Sequence, residues 1–198
     1  MSSPTLNMKC KCGAFEATFD SPPRVIFNCQ CRSCVSVVKS IEAREGFSGT
    51  SIKCDDESGG AAIAIYKSNN NTVVKSDKES IGFMKVGEEG KIPRAYCNKC
   101  GTVLFNVYAP NWCAVNRNAL TNADGELFVP EGEVMNVNCK SAFDASKVTG
   151  PKHNMVPFRM LLKFIPLLAG FGVDGSNTEE NLIPEDMSKV EVSPITWE

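Results

Sequence analysis

The chain has 198 residues, 42% of them hydrophobic and 22% charged, which suits one folded domain and argues against a disordered chain. A formal charge of −2 and a pI near 5.6 leave no basic footprint, so nucleic acid is not an expected partner. Ten cysteines stand against a single histidine, His153, so thiolates must carry any metal the chain binds.

The first nine residues, Met1 to Lys9, show neither a charged n-region nor an apolar h-region. That predicts a cytoplasmic protein with reduced cysteines, for which dense thiol spacing favours metal over disulfides. Cys10-Lys-Cys12-Gly13 comes next, ahead of Phe15-Glu-Ala17-Thr-Phe19, whose period of two predicts a half-buried strand. Ser21-Pro22-Pro23 ends it, and Val25-Ile26-Phe27 predicts a second strand running into Cys29-Gln-Cys31-Arg-Ser-Cys34. Three thiols within six residues predict a shared metal ion, and a strand leading into them would fix the first ligand.

Residues 44 to 60 carry turn residues and charge with little periodicity and predict a loop, with Cys54 inside it. Strands are expected at Ala61–Tyr66, Thr72–Val74 and Ile81–Val86, with a turn at Asn69–Asn71 before the second of these. Arg94-Ala-Tyr96-Cys97-Asn-Lys-Cys100-Gly101 follows, with a glycine placed where a metal knuckle calls for positive φ. Further strands are expected at Thr102–Tyr108 and Trp112–Arg117, on either side of Pro110-Asn111, and at Val134–Asn138. About eight short strands predict a mainly β sandwich-like or tent-like fold.

The tail differs. Met155 to Gly170 is apolar at helical spacing, with Met155, Phe158, Leu162 and Ile165 on one face. Arg159, Lys163 and two prolines argue against a membrane span. A helix covering an open sheet face is expected, and the same apolar helix is the candidate surface for oligomerisation. Residues 174 to 198 are polar and read as an extended tail, loosely held. Domain organisation follows as a zinc-binding β domain over 1–150 and a helical segment with tail over 151–198, packed on that domain.

Among the thiols, Cys10-x-Cys12 and Cys97-x-x-Cys100 can each grip one edge of a tetrahedron and together complete a closed four-cysteine site. Cys29, Cys31 and Cys34 offer three ligands, as catalytic zinc sites commonly do, with the last position open. The opposing reading is a fourth thiolate from Cys54, Cys113 or Cys139 closing this site as well. Cys54 is the first suspect by position, whereas Cys113 and Cys139 lie in strand-like stretches and read as small apolar residues.

On these three motifs, spanning roughly residues 8 to 140, the chain resembles the family of glutathione-dependent formaldehyde-activating enzymes, which includes centromere protein V. The resemblance implies an Mss4-like β-tent of short antiparallel strands stapled by zinc, while the C-terminal helix, after about residue 140, lies outside the part it covers. It implies a structural zinc on Cys10, Cys12, Cys97 and Cys100 and a catalytic one on Cys29, Cys31 and Cys34. The implied reaction is a carbon–sulfur lyase-type step joining glutathione to formaldehyde, with a small-molecule thiol and an aldehyde as partners. Glutathione carries two carboxylates, for which Arg32 and Arg94, and also Lys99, are candidates by position. His153, after Gly150-Pro151-Lys152, reads as an ordinary loop histidine. A zinc-stapled scaffold or interaction module, or a thiol- or metal-responsive protein, is the rival reading.

Overall fold

The computed structural model describes residues 5–44, 46–47, 49, 51–54, 59–67, 71–109, 112–168 and 192–195. Asn69 and Asn70 of the turn expected at Asn69–Asn71, the Pro110-Asn111 pair, and most of the polar tail lie outside them, while Asn71 already belongs to a strand. Twelve strands and two α-helices are found among the described residues. In chain order they are β1 (Leu6–Lys9), β2 (Phe15–Phe19), β3 (Val25–Cys29), α1 (Arg32–Glu42), β4 (Ala61–Lys67), β5 (Asn71–Ser76), β6 (Ile81–Val86), β7 (Arg94–Cys97), β8 (Val103–Ala109), β9 (Trp112–Asn116), β10 (Leu120–Thr121), β11 (Met135–Val137), α2 (Phe158–Leu168) and β12 (Val192–Ile195). The fold is mainly β, as expected.

Four strands form a small sheet in the order β10-β1-β2-β5, and eight form a large one in the order β11-β3-β4-β9-β8-β7-β6-β12. Pairing is antiparallel except at the two ends of the large sheet. There β11 runs parallel to β3 and β12 parallel to β6. These outer strands arrive from distant chain segments, because a parallel neighbour cannot be reached by a tight hairpin.

Strand β4 shows how the layers are arranged. Its Ala64 and Tyr66 belong to a core shared with β1, β2 and β10. Its Ala61, Ile63 and Ile65 face the opposite way, into a core shared with β3 and α1. A strand buried on both faces is apolar throughout rather than alternating, which explains Ala-Ala-Ile-Ala-Ile-Tyr. The small sheet thus covers one face of the large sheet, and the helices cover the other.

Helix α1 starts at Arg32, inside the Cys29–Cys34 motif, and runs to Glu42, where the sequence pattern predicts no helix. Four β-branched residues, Val35, Val37, Val38 and Ile41, lower its intrinsic helix propensity. The helix forms because Cys34, Val37, Val38 and Ile41 make an i, i+3, i+4, i+7 stripe, and all four are buried in the second core.

Helix α2 starts three residues later than expected and packs with another face. Met160 is only 2% exposed, and Val156 and Phe164 pack against the second core. The Phe164 ring meets Trp112 edge-on at 5.6 Å. The face expected to cover the sheet is the open one: Met155 is 75%, Phe158 73%, Leu162 47% and Ile165 53% exposed. Because α2 is apolar nearly all round, its sequence pattern could not single out the packing side. No described helix is long and apolar enough to cross a membrane.

Candidate metal centres

The first thiol group joins the two sheets. Cys10 and Cys12 lie in the β1–β2 turn of the small sheet, while in the large one Cys97 ends β7 and Cys100 lies in the β7–β8 turn. All four sulfurs lie within 4.8 Å of one another. Cys10 Sγ and Cys12 Sγ are 3.5 Å apart, and Cys12 Sγ and Cys97 Sγ 3.6 Å. Four sulfurs at about 2.3 Å from a tetrahedral zinc would be about 3.8 Å apart, so the donor set fits.

Both turns use glycine at positive φ, 73° at Gly13 and 71° at Gly101, as expected for Gly101. The hydroxyl of buried Thr102 lies 3.2 Å from Cys100 Sγ and accepts from the backbone N–H groups of Lys11 and Ile52. Thr102 thus ties three chain segments together at this centre. The Phe15 N–H donates to Cys10 Sγ at 3.3 Å. Burial raises the Cys10 and Cys97 thiols above the ordinary range. Burial also pushes Cys100 up, but hydrogen bonds from the Thr102 hydroxyl and from backbone N–H groups outweigh it and lower this thiol to about 7.

The second group lies where β3 passes into α1. Cys29 ends the strand, Cys31 is the N-cap of the helix, and Cys34 sits one turn in. Backbone N–H groups of Cys34 and Val35 both donate to the Cys31 carbonyl at 3.1 Å, which starts the helix on the knuckle. The three sulfurs lie within 4.8 Å of one another, with Cys29 and Cys31 3.3 Å apart, again close to a tetrahedral edge. Cys29 and Cys34 are buried, while Cys31 is partly exposed. Among the described residues no fourth cysteine, histidine or carboxylate joins the group.

Cys54 stands outside this group. It is buried, its Sγ lies 3.9 Å from the Ala62 carbonyl, and it shares a narrow cavity with Cys34. Cys113 and Cys139 are buried as well and belong to neither group.

Electrostatically the trio is organised around Cys31. Hydrogen bonds from Cys29 and then Cys34, reinforced by the Cys34 N–H and the Ser33 hydroxyl, lower it to about 2. Cys29 is raised far above the thiol range, chiefly by its hydrogen bond to Cys31. For Cys34 the hydrogen bond with Cys29 acts downward, but that with Cys31, burial and the Cys31 charge prevail and raise it. These opposed shifts favour negative charge on Cys31 over Cys29 and Cys34, at the positive end of α1.

The candidate cations are placed very differently. Arg94, at the start of β7, is 3% exposed and donates from Nη2 to Ser33 Oγ at 3.2 Å. Arg32 is exposed, and its guanidinium lies 5.7 Å from the Phe143 ring centroid, with Lys39 on the same ring at 4.5 Å. Lys99 makes a surface ion pair with Asp77 at 2.6 Å. His153 is half-buried and is held through its backbone, bonded to Asn136 and Cys139.

Asn138 went unnoticed in the sequence. It has φ 59°, the one positive φ at a non-glycine position among the described residues. Its Nδ2 donates to Cys29 Sγ at 3.5 Å. The parallel β3–β11 pairing sets Val137 opposite Cys29 and so carries Asn138 to the sulfur. Asparagine tolerates the left-handed region better than most residues, which is the signal Val134–Asn138 held in its last position.

No family model matches the chain, and none of the curated proteins compared with it does. Three chains among the solved structures match. One is the crystal structure of a Rhodobacter sphaeroides protein, 17% identical, with a TM-score of 0.39, covering 66% of this chain and 99% of its own.

Proposed function

We propose that this protein is a zinc-dependent carbon–sulfur lyase-type enzyme of the glutathione-dependent formaldehyde-activating family, with the Mss4-like fold and a cytoplasmic site of action. One observation carries this reading: a trio of sulfurs at tetrahedral spacing with no fourth described donor and Cys31 open to solvent. Cys29, Cys31 and Cys34 hold the catalytic zinc, and Cys10, Cys12, Cys97 and Cys100 the structural one. The unit formed by residues 1–150 carries both sites, with 151–198 packed on it.

When bound, zinc keeps a substrate thiol ionised at neutral pH, where a free thiol is mostly protonated. The bond formed joins the glutathione sulfur to the formaldehyde carbon, and the thiol proton ends on the carbonyl oxygen, giving S-hydroxymethylglutathione. Arg32 lies beside Cys31 on the exposed side and binds a glutathione carboxylate there, with its guanidinium over the Phe143 ring and Lys39 on the same ring as a second cation.

Zinc counting with X-ray absorption at the zinc edge tests this directly. Two ions are expected, with an exogenous ligand completing the second one's three protein sulfurs. A Cys54 sulfur in that position ends the catalytic reading and leaves a zinc-stapled scaffold. Cys31→Ser is expected to reduce condensation of glutathione with formaldehyde at least about 100-fold while leaving the fold intact. Cys97→Ser is expected to unfold the domain. Equal unfolding by both would remove the division into structural and catalytic sites.

A further inference from the structure

Among the described residues, Arg94 is a buried cation with no carboxylate partner. Each ion pair found among the described residues joins a lysine to an acid elsewhere in the molecule. Its Nη1 donates to the Ile92 carbonyl at 2.8 Å and its Nη2 to Ser33 Oγ at 3.2 Å, while the buried Nε has no partner. Arg94 lines a cavity together with the apolar residues Val37, Ile63, Val103 and Phe105. A guanidinium stays charged under all ordinary conditions, and burying one without an anion costs several kcal/mol.

The hydrogen-bond directions point toward the anion. A guanidinium can only donate, so Ser33 Oγ must accept from Arg94. That leaves the Ser33 hydrogen free for Cys31 Sγ, 3.7 Å from the same oxygen. Arg94 also acts electrostatically on Cys34. Guanidinium, hydroxyl and the Cys31 sulfur therefore form a line from the core to the trio.

We propose that Arg94 is the buried counter-charge of a metal centre at Cys29, Cys31 and Cys34, delivered to Cys31 through the Ser33 hydroxyl. This rests on the reading that the trio holds a divalent ion. Three thiolates and such an ion carry a formal −1, which Arg94 brings to zero. Arg94 is thus a positioning residue of the centre rather than a contact for a substrate carboxylate. Arg-Ser, between Cys31 and Cys34, has a specific use, since Ser33 supplies the relay and Arg32 is left outside.

The same strand links the two centres. Arg94 begins β7 and Cys97 ends it, three residues or about 10 Å away. Occupancy of the first group therefore holds in place the strand that carries the second group's counter-charge.

Chromophoric-chelator competition on the full-length zinc protein, with cobalt substitution as a spectroscopic readout, tests the proposal. Arg94→Met is expected to weaken the second metal equivalent at least about tenfold while the first is retained, with Arg94→Lys weakening it less. Ser33→Ala, which removes only the relay, is expected to shift the thiolate-to-cobalt charge-transfer band to lower energy. A purely structural arginine would leave that band in place. Wild-type affinity for both equivalents in folded Arg94→Met, or an unshifted band in Ser33→Ala, would overturn the proposal. If Arg94→Met fails to fold, Arg94→Lys and Ser33→Ala carry the test alone. A wild-type protein binding a single zinc would instead refute the metal reading of the trio.

Discussion

At the scale of single residues, protonation decides how the trio takes up metal. With Cys31 lowered below the ordinary thiol range and Cys29 and Cys34 raised above it, a divalent ion is expected to displace protons from the latter two. Calorimetry in buffers of different ionisation enthalpy is expected to show about two protons released at this site at neutral pH. The sign follows: protons compete with metal at the raised thiols, so affinity falls as pH falls and rises toward the alkaline side. Release of three protons would mean that Cys31 is not ionised beforehand. Asn138 supplies a second residue-scale expectation. Asn138→Ala loses the N–H donated to Cys29 Sγ and places a β-branch-free but less tolerant residue at φ 59°. Together these are expected to cost about 1–3 kcal/mol of stability, measured by denaturant titration. Asn138→Gly, which relieves the backbone, is expected to recover part of that cost while leaving the lost hydrogen bond to Cys29 Sγ unrepaired.

Among the elements, the two helices divide what sequence pattern can reveal. In α1 the apolar stripe was present at helical spacing, but valines and a neighbouring metal motif obscured it. In α2 the helix was legible and its orientation was not. The difference has an energetic signature. Met160→Ala is expected to destabilise the fold by about 2–4 kcal/mol, because it empties a fully packed site. Phe158→Ala, at a ring 73% exposed, is expected to stay within about 0.5 kcal/mol of the parent protein. Thermal or chemical denaturation of the two variants checks the packing directly. A larger loss for Phe158→Ala than for Met160→Ala would place α2 the other way round.

For the whole molecule, the first thiol group works as a clip between layers. Cys12 and Cys97 are 85 residues apart, and no hairpin or covalent bond otherwise joins the β1–β2 turn to the β7–β8 turn. Closing a loop of that length restricts the unfolded chain by about 4–5 kcal/mol in the entropic treatment used for cross-links. Removing the metal from this group with a strong chelator is therefore expected to lower the unfolding midpoint steeply. Emptying the second group, which joins residues only a few positions apart, is expected to matter much less to global stability. A chelator titration followed by circular dichroism, with zinc release recorded in parallel, separates the two.

Local chemistry determined what could be read from the sequence. Thiols one to three residues apart are brought together by covalent connection, so the Cys29 trio and the CxC and CxxC pairs were legible without a fold. The eight expected strands appear because alternation and turn residues are local too. Four more, β1, β7, β10 and β12, are short or overlap other motifs, and their pairing supplies what their own pattern does not. Only the tertiary structure decided that Arg94 is buried against Ser33, that Asn138 reaches Cys29, that Cys54 stays out of the trio, and which side of α2 is covered. Arg94 and Ser33 are 61 positions apart and Asn138 and Cys29 109. Contacts at such separation depend on strand register and layer packing across the whole sheet, which no short window of sequence contains.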